Sequence, residues 1–238
     1  MKVYFVGFGP GDKELLTVRG LKLLEKADLI IYPGSIIEER MLEDFKAEKV
    51  NSHGMRLEEI VDLMEKAVRA GKIVVRLQSG DPSIFGAIWE QIRELKKRGI
   101  EAEIVPGVSS IFAASASLGI ELTSPELVGV AIVRPKGRTL EEDHLEEIAK
   151  LPLTLVILLG ADKVDHIVEK VGKVRGLDEP CAVVYKASRE DEKKFFCKLS
   201  DLKQMMEKEG IRRMAVIIIG KAVLGYEGRS HLYSGSVL

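Results

Sequence analysis

Two cysteines, no excess of either charge and no long apolar run set the first limits on this chain. Cys181 and Cys197 can pair only with each other, and neither lies in a CxxC or Cys/His cluster. A zinc site is therefore not predicted, and both are expected to be reduced thiols. The 36 basic and 37 acidic residues nearly cancel, so no overall field draws the chain to nucleic acid or to an anionic membrane.

Secretion signals and familiar catalytic clusters are also missing. The longest apolar runs, LTLVILL and AVIII, are far shorter than the ~20 residues that span a bilayer. The beginning, MKVYFVGFGPGD, lacks the apolar core of a signal peptide, so a soluble cytoplasmic protein is predicted. No P-loop, Ser-His-Asp or Cys-His signature occurs, and the four histidines show no metal-ligand spacing. The residues themselves therefore predict no metal site and identify no catalytic residue.

What the chain does contain is the composition and the periodicity of a packed α/β protein. Its residues are 46% hydrophobic and 31% charged, and its 238 residues suffice for one large domain or for two smaller ones. Short apolar runs alternate with amphipathic stretches, which is typical of parallel βαβ units. In the first half the predicted strands are VYFVGF, DLIIY, KIVVRLQ and EAEIVPG, and the predicted helices are ELLTVRGLKLLEKA, LEEIVDLMEKAVRAG, IFGAIWEQIRELKKRG and SSIFAASASLG.

The alternation is interrupted once, near residues 120–126, and then resumes. ELTSPEL is polar and contains a proline, and the strand GVAIV opens a second series of apolar runs and helices. A charged hairpin-like segment, REDEKKFFCKL, follows the run CAVVYKA. We therefore predict two successive α/β domains, residues 1–120 and 121–238.

Three glycine turns follow predicted strands of the first half. They are GFGPGD (Gly7 to Asp12), SGDP (Ser79 to Pro82) and PGVSS (Pro106 to Ser110). Ligands of α/β sheets collect at the carboxyl ends of the strands, so these turns predict one pocket at one sheet edge. Each turn taken alone is also explained as a tight turn or a helix cap, with Asp81 capping the next helix.

A dinucleotide is the obvious ligand for such turns, but details of the sequence oppose it. The first turn reads GxGxG instead of GxGxxG, and Pro10 removes an N–H from the loop that would hold a pyrophosphate. The second strand ends Ile31-Tyr32-Pro33-Gly34, without the acidic residue that would hold a ribose. NAD and FAD are therefore disfavoured.

A basic run, RPKGR, follows the first strand of the second half. Arg134, Lys136 and Arg138 are either a solvated loop or a set of partners for the carboxylates of an acidic ligand. Arg19, on the first helix, is a weaker candidate for the same task.

The three turns, in this order and spacing, resemble the tetrapyrrole methylase family, and the resemblance spans nearly the whole chain. That family carries a GxGPGD turn, a GDP turn followed by FG or YG, and a PGxS/T turn, which read GFGPGD, SGDPSIFG and PGVSS in this sequence. The segments SHGMRLEEIVDLM and VYKASREDEKK further resemble the branch that methylates precorrin-4 or cobalt-precorrin-4 at ring carbon 11. The terminal SHLYS also fits that branch.

The resemblance implies a fold, a cofactor and an assembly. It implies two α/β domains that bind S-adenosylmethionine in the cleft between them, a tetrapyrrole substrate, S-adenosylhomocysteine as product, and a homodimer. The cofactor contacts that the motifs imply are Pro10, Ser79, Gly80, Asp81, Ile84, Ser109, Ser110, Leu159 and Ala187. Leu159 stands where the family usually has methionine, which is a small departure because the contact is apolar packing.

The lack of a catalytic cluster suits this chemistry, because a sulfonium methyl is already activated and an electron-rich pyrrolic carbon is already a nucleophile. Positioning and exclusion of water are then the enzyme's main tasks. Two alternatives stay open at this point. One is another tetrapyrrole methylase, acting on uroporphyrinogen or on a different precorrin, and the other is a nucleotide-sensing α/β module without turnover. Whether the substrate already carries cobalt is not fixed by the residues.

Overall fold

A computed structural model of the chain describes residues 1–137 and 140–225. The chain divides into two compact units, Met1–Ser110 and Ile111–Leu238. Each unit contains its own sheet with helices packed on it, so the predicted α/β class is confirmed. The division after residue 120 stays a prediction.

The first unit is built on a parallel sheet. Its strand order is β3-β2-β4-β1-β5, and every described pair of neighbours runs parallel. The strands are β1 (Lys2–Gly7), β2 (Leu29–Tyr32), β3 (Glu48–Asn51), β4 (Val74–Gln78) and β5 (Glu101–Val105). The helices are α1 (Val18–Lys26), α2 (Leu57–Arg69), α3 (Trp89–Lys97) and α4 (Ser110–Leu118), the last of which continues into the second unit.

Alternate residues of the central strands enter two different cores. In β1, Val3 and Phe5 pack with residues of α2 and α3, whereas Val6 packs with Leu24 of α1. A sheet covered by helices on both faces buries successive residues, which explains why these strands read as continuous apolar runs. Because β4, β1 and β5 are parallel neighbours, their carboxyl ends lie at the same edge of the sheet.

The second unit has a mixed sheet of order β6-β7-β10-β8-β9. Only β6 and β7 pair in parallel among its described strands, while β10 lies antiparallel between β7 and β8, and β9 is antiparallel to β8. The strands are β6 (Gly129–Val133), β7 (Leu153–Ile157), β8 (Pro180–Tyr185), β9 (Lys193–Lys198) and β10 (Ala215–Ile219), and the helices are α5 (Leu145–Ala149), α6 (Val164–Arg175) and α7 (Leu202–Lys208). The hairpin-like character of the REDEKKFFCKL segment is confirmed, but parallel βαβ units describe only part of this sheet.

Three local features differ from the predictions. The first helix, predicted as ELLTVRGLKLLEKA, begins only at Val18, because the two residues before it are extended. The helix predicted from Ile84 begins only at Trp89, because Phe85 (φ 52°) and Ala87 (φ 49°) have left-handed backbone conformations that no α-helix accommodates. The short strand β3 was not predicted, since its residues Glu48–Asn51 are mostly polar and at least partly exposed at the edge of the sheet.

Within the described ranges, no helix combines the length and the apolar character needed to cross a membrane.

Candidate functional site

The first two glycine turns are joined by paired backbone hydrogen bonds. The N–H of Gly9 donates to the carbonyl of Gly80 at 3.2 Å, and the N–H of Gly80 donates to the carbonyl of Gly9 at 2.8 Å. One residue earlier, the N–H of Phe8 donates to the carbonyl of Gln78 at 2.8 Å. The turns after β1 and β4 are therefore joined beyond the end of the sheet, through an antiparallel bridge although the two strands themselves pair in parallel.

Asp81 joins the second turn to the third. One carboxylate oxygen accepts the N–H of Gly107 at 2.8 Å, and the other accepts the N–H of Ser83 at 2.8 Å and the Ser83 hydroxyl. Burial alone would raise the pKa of Asp81, but the hydrogen bonds from Ser83 and Gly107 outweigh it and hold that pKa below its ordinary value. The carboxylate is thus ionised at neutral pH and already engaged by both turns.

The first and third turns meet where Gly7 faces Gly107. A Cβ added to Gly7 would lie 2.6 Å from both the Cα of Gly107 and the carbonyl oxygen of Gly80. Only residues without a side chain allow three backbones to approach this closely. The prediction that the three turns share one sheet edge is confirmed, and the necessity of Gly7 and Gly107 is an addition that the motifs alone did not indicate.

The predicted cofactor residues of the first unit lie on or next to these turns. Gly80 has a left-handed backbone (φ 63°), Pro10 and Ser109 are buried, and Ser79, Asp81, Ile84 and Ser110 are partly exposed. The structure therefore brings them together at one edge. Their contact with a cofactor stays a prediction.

A buried polar pair missed by sequence reasoning supports the segment that carries Ile84. The Arg76 Nε donates to the Gln91 Oε1 at 3.0 Å, and the Gln91 amide donates to the carbonyl of Ala87 at 3.3 Å. Arg76 also donates to the carbonyl of Ile31 at 3.3 Å, and burial lowers the pKa of its guanidinium to about 10. The pair links the sheet to the strained residue Ala87, although nothing in the periodicity marked Arg76 as internal.

Arg19 is an exposed residue in the first turn of α1. It pairs with Glu103, which also accepts the Lys2 ammonium at 3.0 Å, and Glu103 stands opposite Tyr4 in the body of the sheet. Since the Arg19 guanidinium already has a carboxylate partner here, its role toward a substrate stays a prediction with less support than the basic run has.

The second unit gathers its predicted residues at one edge too. Because β10 is antiparallel to both β7 and β8, the carboxyl ends of β7 and β8 lie beside the amino end of β10. Leu159, just after β7, is 61% exposed with φ 54°, an unusual backbone for a large apolar residue. Non-glycine residues in such strained conformations cluster at ligand sites.

The YKAS turn, Tyr185 to Ser188, stands at the same edge. Lys186 (φ 49°) and Ser188 (φ 68°) are both left-handed, and Ala187 between them is buried. The N–H of Lys186 donates to the carbonyl of Met214 at 2.8 Å, and Met214 is itself left-handed with φ 56°. Met214, which sequence reasoning missed, thus belongs to this edge, and only its backbone conformation reveals it.

The basic run packs against the turn that carries Leu159. The N–H of Leu158 donates to the carbonyl of Val133 at 2.9 Å, and a Cβ on Gly160 would lie 3.3 Å from the Pro135 ring. Arg134 and Lys136 therefore border the second edge, while Arg138 lies outside the described residues. The role of these basic residues toward a substrate stays a prediction.

Asp143 anchors the basic run. Its carboxylate accepts the N–H of Lys136 at 2.6 Å, the His166 Nε2 at 2.8 Å and the N–H of Leu145 at 3.2 Å. Burial would raise the pKa of Asp143, but these three hydrogen bonds lower it overall. One carboxylate thereby fixes the backbone of the run to both α5 and α6.

No cluster of three or more His, Cys, Asp or Glu side chains suited to a metal ion occurs in residues 1–137 and 140–225. Both cysteines are free thiols, and Cys181 faces Cys197 across β8 and β9.

Comparison with known proteins gives the same family as the motifs of the three turns. The sequence model of the family Tetrapyrrole (Corrin/Porphyrin) Methylases matches residues 2–203 of this chain. The cobalt-precorrin-4 C(11)-methyltransferase of Methanocaldococcus jannaschii is 51% identical, over 93% of this chain and 88% of that protein. The precorrin-4 C(11)-methyltransferase of Pseudomonas aeruginosa is 42% identical, over 96% of this chain and 92% of that protein.

Solved structures of this family resemble the chain as well. The X-ray structure of a cobalamin biosynthetic enzyme, cobalt precorrin-4 methyltransferase, superposes with a TM-score of 0.89 at 40% identity, covering 93% of this chain and 95% of that one. A uroporphyrin-III C-methyl transferase from Thermus thermophilus, complexed with S-adenyl homocysteine, superposes with a TM-score of 0.81 at 33% identity, covering 94% and 93%. The chain therefore belongs to the tetrapyrrole (corrin/porphyrin) methylase family.

Proposed function

We propose that this chain transfers the methyl group of S-adenosylmethionine to ring carbon 11 of cobalt-precorrin-4 or precorrin-4. The observation that carries the proposal is the 51% identity with the Methanocaldococcus jannaschii enzyme over nearly the whole chain. The joined turns of the first unit and the strained turns of the second supply edges of the kind at which α/β proteins bind ligands.

The residues at both edges fit a large, partly apolar cofactor. Gly7 and Gly107 let the three turns pack backbone against backbone, which holds the main chain of the first edge in one place. The second edge offers the exposed apolar side chain of Leu159 and the small Ala187. We infer that Pro10, Ser79, Gly80, Asp81, Ile84, Ser109, Ser110, Leu159 and Ala187 line the cofactor site.

The protein's part in the reaction is to position its ligands. S-adenosylmethionine, when bound, supplies an activated methyl group on a positively charged sulfur. The turns hold their conformations through internal hydrogen bonds, so few backbone groups need to be ordered as a ligand binds. The Asp81 carboxylate is ionised, but three hydrogen-bond donors already occupy it, which limits its attraction for a cation whose charge disperses during transfer.

The basic run is the proposed partner of the substrate's carboxylates. Arg134 and Lys136 border the second edge, and Arg138 completes the run in sequence. Guanidinium groups bind carboxylates with two parallel hydrogen bonds, which suits a macrocycle that carries acetate and propionate arms.

Calorimetry and mass spectrometry test this proposal. S-adenosylhomocysteine should bind and NAD should not, and incubation of cobalt-precorrin-4 with labelled S-adenosylmethionine should add one methyl group at carbon 11. Uroporphyrinogen III serves as the comparison substrate. No binding of S-adenosylhomocysteine would refute the methyltransferase, and methylation of uroporphyrinogen III alone would move the chain to another branch.

We further propose that the protein is a homodimer of the cytoplasm. The resemblance to the family supports the dimer, and two free thiols suit a reducing compartment. Light scattering at micromolar concentration and cell fractionation test these two statements, and a monomer or a membrane-pelleted protein would contradict them.

A further inference from the structure

The YKAS turn holds an energetically costly backbone conformation. Lys186 and Ser188 have φ angles of 49° and 68°, and a non-glycine residue in this region costs about 1–3 kcal/mol unless its surroundings fix it. Ala187 lies between them and is buried. Some interaction must therefore hold the turn in this path.

The bond from the Lys186 N–H to Met214 holds the beginning of the turn, and Glu192 holds its end. One oxygen of its carboxylate accepts the backbone N–H of Ser188 at 2.6 Å, and the other accepts the hydroxyl of Ser117 on α4. Two backbone bonds of 3.0 Å, from Arg189 to the Lys186 carbonyl and from Glu192 to the Arg189 carbonyl, bring the carboxylate back over the turn. A charged acceptor is used because it binds an N–H more strongly than a neutral one does.

The neighbouring charges reinforce the link to α4. The Lys194 ammonium donates to the carbonyl of Ser117, so the carboxylate binds the side chain of this residue and the ammonium binds its backbone. By contrast, Asp191 pairs with the Lys186 ammonium, at a carboxylate that is 54% exposed. Exposed pairs of this kind contribute little, so Glu192 is the acid on which the turn depends.

We propose that Glu192 is a positioning residue for the methyl donor: its carboxylate fixes the strained YKAS turn so that Ala187 forms part of the cofactor wall. Glu192 acts through the backbone of Ser188 and does not itself touch the cofactor. This inference rests on the proposed function, since it requires S-adenosylmethionine to bind beside Ala187. It also gives the acidic part of the YKASREDEK segment a physical task.

Binding of S-adenosylhomocysteine, measured by calorimetry, tests the inference without a tetrapyrrole. Glu192→Ala should weaken binding about tenfold, as expected when a hydrogen bond to a charged group is lost from the site. Glu192→Gln should bind within about threefold of the parent, because its amide oxygen still accepts from Ser188 and its NH₂ can donate to Ser117. Asp191→Asn is the matched control, which removes the same charge from the same turn and should leave the affinity unchanged.

The outcomes separate this inference from the proposed function. No binding by the parent protein would refute both. Parent-like affinity in Glu192→Ala, or equal losses in Glu192→Ala and Glu192→Gln, would refute the positioning role alone. If Glu192→Ala does not fold, Glu192→Asp replaces it, since the shorter side chain cannot reach both partners and should show the same loss. In turnover assays, Glu192→Ala should raise the KM for the methyl donor and leave kcat at saturation nearly unchanged.

Discussion

Gly7 and Gly107 face each other across the ends of β1 and β5 with no room for a methyl group between them. A Cβ on Gly107 would lie 2.7 Å from the Cα of Gly7, well inside van der Waals contact. The same two glycines adjoin the Gly80 carbonyl, so three turns from distant parts of the sequence depend on one point of contact.

Substitution of Gly107 by alanine should therefore separate the turns. We expect Gly107→Ala to lower the free energy of unfolding by about 1–3 kcal/mol through overpacking, and to abolish binding of S-adenosylhomocysteine. Gly129→Ala is the control, because its added Cβ would have only the Leu153 Cδ2 nearby, at 3.7 Å. Urea unfolding and calorimetry measure the two effects, and parent-like binding by Gly107→Ala would contradict this account of the turns.

The Asp81 carboxylate should make stability depend on pH. Its pKa in the folded protein is below the ordinary value, so the stabilisation is fully present above that ordinary value and is lost as the pH falls through the folded pKa. At each pH the substitution Asp81→Ala should lower the free energy of unfolding relative to the parent protein, and the decrease should be larger at pH 7 than at pH 3. Binding of S-adenosylhomocysteine should also weaken, because Gly107 loses its acceptor.

Urea unfolding at the two pH values measures the Asp81 effect. Asp162→Asn, at a 60% exposed carboxylate of the second unit, is the control. An equal cost of Asp81→Ala at pH 3 and pH 7 would show that the carboxylate's charge does not contribute.

Arg76 and Gln91 should be strongly coupled in unfolding. Gln91→Leu leaves a buried guanidinium N–H without its acceptor, at a cost of about 1–3 kcal/mol. Arg76→Met combined with Gln91→Leu should recover much of that loss, because an apolar pair replaces a buried polar one. A double-mutant cycle in urea measures the coupling. The exposed pair Lys97 and Glu94 provides the comparison, for which coupling below about 0.5 kcal/mol is expected.

Removal of the Asp143 carboxylate should release the backbone of the basic run. In Asp143→Ala, the N–H of Lys136 loses its acceptor, so peptides covering residues 134–137 should exchange hydrogen about tenfold faster. Glu147→Ala, at a nearby carboxylate that is 64% exposed, should leave that exchange unchanged. The measurement is hydrogen exchange by mass spectrometry, and unchanged exchange in Asp143→Ala would show that other contacts hold the run.

The first unit was largely predictable because its pattern is local. Buried parallel strands produce continuous apolar runs, and each run ends at a glycine turn, so strands, turns and their common edge follow from the sequence. The start of α3 did not follow, since Phe85 and Ala87 are acceptable helix residues whose left-handed backbone is set by the surrounding structure. The short polar strand β3 offers no apolar period to detect.

In the second unit, strand direction was the part that the sequence could not supply. An apolar run such as AVIII has the same composition whether it lies parallel or antiparallel to its neighbours, and its partners are distant in sequence. The roles of Glu192 and Asp143 were hidden for a related reason. Acidic residues are common on exposed surfaces, and only folding shows that these two accept backbone N–H groups.

The antiparallel placement of β10 has a consequence for redesign. This strand enters the sheet where β7 and β8 leave it, so the short connection that ends at Met214 opens on the same rim as the turns that carry Leu159 and Ala187. An all-parallel sheet would put that connection at the opposite rim. Changes of length or composition just before Met214 therefore offer a way to alter ligand choice while every crossover helix keeps its native length.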